Sequence, residues 1–144
     1  MTRAYASGVV AAPAEQVWRA VRLFDGIPDI LPSVPKSEII EGGEGQVGSV
    51  RRLTTEDGDV VSEKLLALDD RGRSYTYGFV SDNPFGCRNY ISTIRVAPVT
   101  TSGHCFVEWY SDFDTREGDE GRLTALFGDG VYASGIAQLQ ERFG

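Results

Sequence analysis

The chain is short of the residues that carry most metal, redox and crosslinking chemistry: one histidine, one methionine and two cysteines among 144 residues. His104 stands beside a turn with no Cys/His cluster to complete a metal site, and it reads as a surface residue. Cys87 and Cys105 are too few for a disulfide framework and lie near opposite ends of one expected hairpin, so both read as reduced thiols. Positive charge is scarce as well. Lys and Arg number 14 against 21 Asp and Glu, a formal charge of −7, and the bases are scattered. A nucleic-acid partner, which needs a basic patch to neutralise phosphates, is thereby excluded. No apolar run approaches membrane-spanning length, and Met1 to Val10 lacks the apolar core of a secretory signal. The expectation is a cytoplasmic protein with no membrane insertion. Ser111-Asp112 has no surrounding nucleophile-elbow glycines, so a Ser-His-Asp triad is unsupported. No cofactor motif is present.

What is there begins with an ordinary globular balance, 41% hydrophobic and 24% charged, in a length that suits a single domain over residues 1–144. The strongest pattern lies at the end. Leu123, Phe127, Val131, Gly135, Leu139 and Phe143 recur at a four-residue spacing, with Leu126, Tyr132 and Ile136 widening the stripe. That repeat predicts an amphipathic helix over Asp119–Phe143, about seven turns long. Its broad apolar face needs a broad partner, which strands supply by curving around it. Gly130 and Gly135 weaken such a helix relative to alanine. Either they allow close packing or they leave room beside the helix for something else.

Upstream, Thr2–Ala11 reads as a first strand, and Ala12-Pro13-Ala14-Glu15 opens a helix with Val17, Trp18, Val21 and Phe24 on its apolar face. Three prolines between Ile27 and Pro35 leave room for only a short helical turn. Hairpin signals then take over. Strands are expected at Glu38–Ile40, Val47–Glu56, Val60–Asp69, Arg73–Ser81, Arg88–Ala97 and Gly103–Thr115, with Asp57-Gly58 a strong turn. The order is β-α-α-β-β-β-β-β-β-α. An antiparallel meander with its helices grouped on one face is an α+β fold.

One ordered set of segments is more specific than any of these. Ala12-Pro13-Ala14-Glu15-Gln16-Val17-Trp18, Leu31-Pro32-Ser33-Val34, Gly48-Ser49-Val50-Arg51, Glu63-Lys64-Leu65, Tyr75-Thr76-Tyr77, Asn89-Tyr90-Ile91-Ser92-Thr93-Ile94 and Val107-Glu108-Trp109 stand in sequence along the chain. Together they resemble the polyketide cyclase/dehydrase-like families of the START-like superfamily, which includes plant lachrymatory-factor synthase and abscisic-acid receptors. The resemblance covers essentially the whole chain. It implies a helix-grip fold: a seven-stranded curved antiparallel sheet around a long C-terminal helix, two short helices between the first two strands, and a cavity between sheet and helix. It implies a small hydrophobic or polyketide-like ligand and no cofactor, in a monomer or homodimer, and leaves the chemistry open.

In the synthase-like relatives the Arg of the Gly-x-Val-Arg motif, the Glu before a basic residue and Leu, and a Tyr carry the reaction, and these match Arg51, Glu63 and Tyr90. A guanidinium can hold an oxyanion, and a carboxyl raised by an apolar cavity can move a proton. Register decides whether Arg51 and Glu63 share that cavity. A two-residue Asp57-Gly58 turn sets Glu63 opposite Arg52 as a solvated pair. A three-residue Asp57–Asp59 loop sets Arg51 opposite Leu65 and Leu53 opposite Glu63; Arg51 and Glu63 then share an inward face with Leu53, Val61 and Ala67, the two charged groups within water-bridging reach of each other. For the last hairpin, a Thr100-Thr101 turn sets Tyr90 by Ser111 and Ser92 by Trp109. Tyr75, Tyr77 and Phe79 alternate on one face, as core or as cavity wall. The candidate ligand contacts are Leu53, Tyr75, Tyr77, Ser92, Trp109, Phe127, Val131 and Gly135. Gly42-Gly43-Glu44-Gly45 lacks the lysine and helix of a phosphate loop and reads as a flexible loop at the cavity lip. Two functions remain open: a carrier or sensor of a hydrophobic or aromatic molecule, and a cofactor-independent cyclase, dehydratase or isomerase using Arg51 and Glu63.

Overall fold

Period-two alternation along the middle of the chain becomes one antiparallel sheet in the computed structural model, which describes residues 1–80 and 82–144. The strands are β1 (Thr2–Val10), β2 (Lys36–Glu41), β3 (Val50–Thr54), β4 (Val60–Asp69), β5 (Ser74–Phe79), β6 (Arg88–Val99) and β7 (His104–Asp114), in the order β1-β7-β6-β5-β4-β3-β2. The expected extension of the fifth strand to Ser81 ends on a residue outside those described. Every neighbouring pair is antiparallel, and β1 closes on β7, so the first and last strands of the meander meet. The α+β helix-grip architecture is the one expected: a seven-stranded curved sheet, with α1 (Ala14–Val21) and α2 (Ile27–Ile30) between β1 and β2.

α1 buries Ala14, Val17, Trp18 and Val21 and ends sooner than Asp25-Gly26 had suggested, although Phe24 is still buried. It is tied to the β4–β5 turn through Asp70, which accepts hydrogen bonds from Trp18 Nε1 (2.9 Å) and Arg22 Nε (2.8 Å). The glycine loop is not a lip of the cavity. The Glu44 carboxylate accepts the backbone N–H groups of Phe24 and Asp25, which pins this loop beneath the α1–α2 junction.

The C-terminal rod runs from Glu120 to Phe143 but is not one uniform α-helix. α3 (Glu120–Thr124) passes into a π-helical stretch, Ala125–Ala133, before α4 (Ser134–Phe143). A π turn returns its hydrogen bond one residue later than an α turn. The inward series therefore runs Leu123, Phe127, Tyr132, Ile136, Leu139, with a five-residue step after Phe127. Tyr132 takes the interior place that a regular helix would give to Val131, and Val131 is left half-buried. Both cysteines are free and buried. Among the described residues no helix is long and apolar enough to cross a membrane.

Candidate functional site

Between the concave sheet and the rod lies a cavity of about 350 Å³. Its floor and walls are Arg51, Leu53, Val61, Glu63, Tyr77, Phe79, Tyr90 and Trp109 from the sheet, and Leu126, Phe127, Gly130 and Val131 from the rod. Ile27, Leu31, Ser33 and Val34 close one side, and the β3–β4 hairpin contributes Thr55, Glu56, Asp57 and Asp59.

Neither expected β3–β4 register is the real one. Arg51 pairs with Glu63 and Leu53 with Val61, and Thr55 N–H donates to the Asp59 carbonyl (2.8 Å). The loop is thus Glu56-Asp57-Gly58, with Gly58 at φ +87°. The pairing differs by two residues from the three-residue-loop expectation, and a two-residue shift preserves every face. Arg51, Leu53, Val61 and Glu63 do point inward. Ala67 does not, because a bulge between Leu65 and Ala67 reverses the faces. Leu68 packs against the core instead, while Ala67 is exposed.

Arg51 and Glu63 touch directly, with no room for a bridging water. Arg51 Nε and Nη2 lie 3.0 and 2.8 Å from the same carboxylate oxygen, Oε1. Nη1 donates to the Phe24 carbonyl (2.6 Å) and to Tyr75 Oη (3.4 Å). The guanidinium carbon also stands 4.0 Å from the Phe24 ring centre and 4.8 Å from that of Tyr77. Arg51 is therefore engaged by the protein around it, and its side chain is 1% exposed. Burial opposes its charge, but Tyr75 and Glu63 outweigh that and hold its pKa above the ordinary value. Burial raises the Glu63 pKa; the arginine pulls it back only in part, and the carboxyl stays above its usual range. Among the described residues, every hydrogen bond to this carboxylate falls on Oε1. Oε2 has none, yet it is not among the unpartnered atoms sealed inside the protein. It faces the open space that Glu63 lines.

The aromatic wall is held by its own hydrogen bonds. Trp109 Nε1 donates to Tyr77 Oη (3.1 Å), and the hydroxyls of Tyr90 and Tyr132 are paired. Trp109 stacks on Tyr132 with ring centres 5.1 Å apart, and Phe79 stacks on Tyr90 at 4.2 Å. Burial lifts Tyr77 and Tyr90 well above the usual phenol range and pushes Tyr132 up to about 12, so all three stay neutral.

Of the residues singled out from sequence, the structure brings Arg51, Glu63, Tyr90, Leu53, Tyr77, Trp109, Phe127 and Val131 together around the cavity. Three stand elsewhere. Tyr75 lies buried behind Arg51, and Ser92 Oγ donates to the Tyr110 carbonyl (3.0 Å) on the neighbouring strand. Gly135 is jammed: a Cβ there would lie 2.6 Å from the Trp109 ring and 3.1 Å from Leu31. The last hairpin pairs Ser92 with Ser111 and Ile94 with Trp109, again two residues from the expected register with faces preserved. Sequence reasoning missed Tyr132 as the partner of Tyr90, since only the π turn rotates it inward. It also missed the carboxylates of the β3–β4 hairpin, which looked like ordinary turn residues.

Comparison with known proteins places the chain in a family and supports the fold. Residues 1–144 match the family described as polyketide cyclase / dehydrase and lipid transport. The chain belongs to that family. It is similar to the protein XoxI from Bacillus cereus, with 36% identity over 99% of this chain and 96% of that one and a TM-score of 0.89. A Thermobifida fusca protein is 30% identical over 100% and 94% of the two chains, with a TM-score of 0.91. Norcoclaurine synthase from Thalictrum flavum, at 22% identity over 98% and 92% and a TM-score of 0.77, shares the fold.

Proposed function

We propose that the protein binds a small hydrophobic or aromatic molecule in the cavity between sheet and C-terminal rod. The observation that carries this reading is a cavity of about 350 Å³ left open beside a buried, directly paired Arg51 and Glu63. That volume falls in the range of roughly 300–1,000 Å³ typical of small-molecule sites. A buried ion pair is weak support for stability by itself. A buried pair of charges lining an apolar cleft therefore points to a role in what the cleft binds. Leu53, Tyr77, Trp109, Phe127 and Val131 supply the apolar contacts, and Tyr90 braces the wall through Tyr132. Titration with 2-naphthalenemethanol, followed by calorimetry, tests the reading directly. Saturable one-to-one binding is expected, and native mass spectrometry of protein purified from its host would reveal a retained ligand. A cavity that admits no apolar probe would sink the proposal.

One observation favours chemistry as a second reading. A carboxyl with a raised pKa and one oxygen facing a largely apolar cavity is suited to take or give a proton. Arg51 would then act by clamping Oε1 and so aiming Oε2. That differs from the oxyanion-holding role, because the guanidinium is already engaged by Glu63, Phe24 and Tyr75. In this reading Glu63 transfers the proton and Tyr90 positions the substrate, as in a cofactor-independent cyclase, dehydratase or isomerase. Glu63→Gln separates the two readings once a ligand is identified: lost turnover with retained affinity indicates proton transfer, and unchanged turnover rules it out.

A further inference from the structure

The charge around the cavity is predominantly negative. Among the described residues lining it, Arg51 is the one base, against Glu56, Asp57, Asp59 and Glu63. Arg51 offers little to a ligand. Its Nε and Nη2 face Glu63 Oε1, its Nη1 faces the Phe24 carbonyl and the Tyr75 hydroxyl, and aromatic rings lie against it. An anionic ligand would find no free cation among the described lining residues, and it would pass three exposed carboxylates on its way in. The deepest charged atom left open is an acceptor, Glu63 Oε2, on a side chain only 7% exposed.

We infer that the cavity selects an apolar or aromatic molecule bearing a cationic nitrogen, a protonated amine above all, and discriminates against carboxylates and other anions. This rests on the ligand-binding reading above and names the ligand class for it. The hairpin acids Glu56, Asp57 and Asp59 act at the mouth, where a low-dielectric cleft lined by one sign of charge concentrates the opposite charge. Their side chains make no hydrogen bonds with other described residues. Only the backbone of this loop is tied, through Glu56 N–H to the Ser33 carbonyl, Thr55 N–H to the Asp59 carbonyl and Asp59 N–H to Thr55 Oγ1. Nothing in the fold therefore requires these three side chains to be acidic. Glu63 Oε2 acts at depth, accepting a hydrogen bond from the ligand's N–H. Tyr77, neutral and already accepting from Trp109, has its own O–H proton to offer to a ligand acceptor.

A matched series sharing one aromatic body tests this: 2-naphthylmethylamine, 2-naphthalenemethanol and 2-naphthoic acid, titrated at neutral pH in low and high salt. The amine should bind on the order of tenfold or more tighter than the acid at low salt, with the gap shrinking as salt screens the mouth. The E56Q/D57N/D59N triple variant, its fold checked by thermal melting, should collapse the amine-to-acid ratio. E63Q should weaken the amine while leaving the salt dependence in place. Equal binding of amine and acid, or a triple variant that keeps the wild-type ratio, would overturn the inference. Failure of all three probes, the neutral alcohol included, would instead overturn the ligand-binding reading and this inference with it.

Discussion

Two glycines on the same C-terminal rod, Gly130 and Gly135, face opposite situations. At Gly135 a methyl group would strike Trp109 and Leu31, so glycine is there because the rod lies flat against the sheet. At Gly130 the nearest atoms to a Cβ are the Ala125 carbonyl at 3.8 Å and a Leu126 methyl at 4.0 Å, which is ordinary contact on a surface facing the cavity. The interior is thus closed at the α4 end and open at the π-helical end. Arg51 and Glu63 mark the open part of the sheet. Sequence periodicity could not distinguish the two glycines, because each is a gap in the same stripe. The difference lies in what stands opposite.

The largest effect should come from removing the clamp in the open half. Arg51→Leu leaves Glu63 buried without its partner, and loss of one member of a buried ion pair costs about 3–5 kcal/mol. The loss should be greatest at neutral pH and smaller in acid, where Glu63 can take a proton. Urea midpoints measured across pH would show this, and an unperturbed Arg51→Leu protein would mean the pair is solvated in solution.

In the closed half, Gly135→Leu should cost about 2–3 kcal/mol through overpacking against Trp109 and Leu31. This reverses the reading of Gly135 from sequence alone as a ligand contact, since the residue packs against the sheet and not along the cavity. A wild-type melting temperature for Gly135→Leu would show that Trp109 can move aside, and that the closed half is softer than its contacts imply.

These errors show what was legible. Strand faces were readable, since Arg51, Leu53, Val61 and Glu63 point inward although the three-residue loop sits one residue earlier than expected. A pairing shifted by two residues leaves parity intact, and both hairpins are shifted by two: β3–β4 because its three-residue loop sits one residue earlier, β6–β7 because its turn is two residues longer. Leu66 and Leu68 fall on the outward parity of a regular β4, and that misfit is the one local trace of its bulge. What the residues could not show was contact across long sequence distance: the Phe24 carbonyl on Arg51, Trp109 on Gly135, and Tyr132 on Tyr90. The π turn left no signal because a wider turn and an ordinary one share the same apolar residues.

A smaller effect concerns titration. Folding raises the Glu63 pKa, so between the ordinary glutamate range near ~4.3 and its raised folded value the native chain holds a proton that the unfolded chain releases. The stability from this group is present below that range and is lost as pH rises through the folded value. Glu63→Gln cannot titrate, and its stability should be flatter over the same window. If wild type and Glu63→Gln show the same slope, the guanidinium holds the carboxylate ionised more firmly than burial opposes it.

The smallest effect on stability should come from Gly130→Leu, and it sharpens the comparison most. Replacing glycine within a helix can gain up to ~1 kcal/mol in backbone propensity, and the new Cβ meets no close contact. Stability should therefore change little or rise slightly. Past Cβ, the leucine side chain has the cavity to enter, where it takes volume that an apolar ligand would need. Affinity for 2-naphthalenemethanol should fall by on the order of tenfold, equivalent to ~1.4 kcal/mol, without a matching loss of folding. The same substitution five residues apart would then act in opposite ways, at Gly135 on the fold and at Gly130 on the ligand. If Gly130→Leu instead binds the probe normally, the ligand does not sit against the π-helical wall. The open half would then have to be re-centred on Leu53, Val61 and the β3–β4 hairpin.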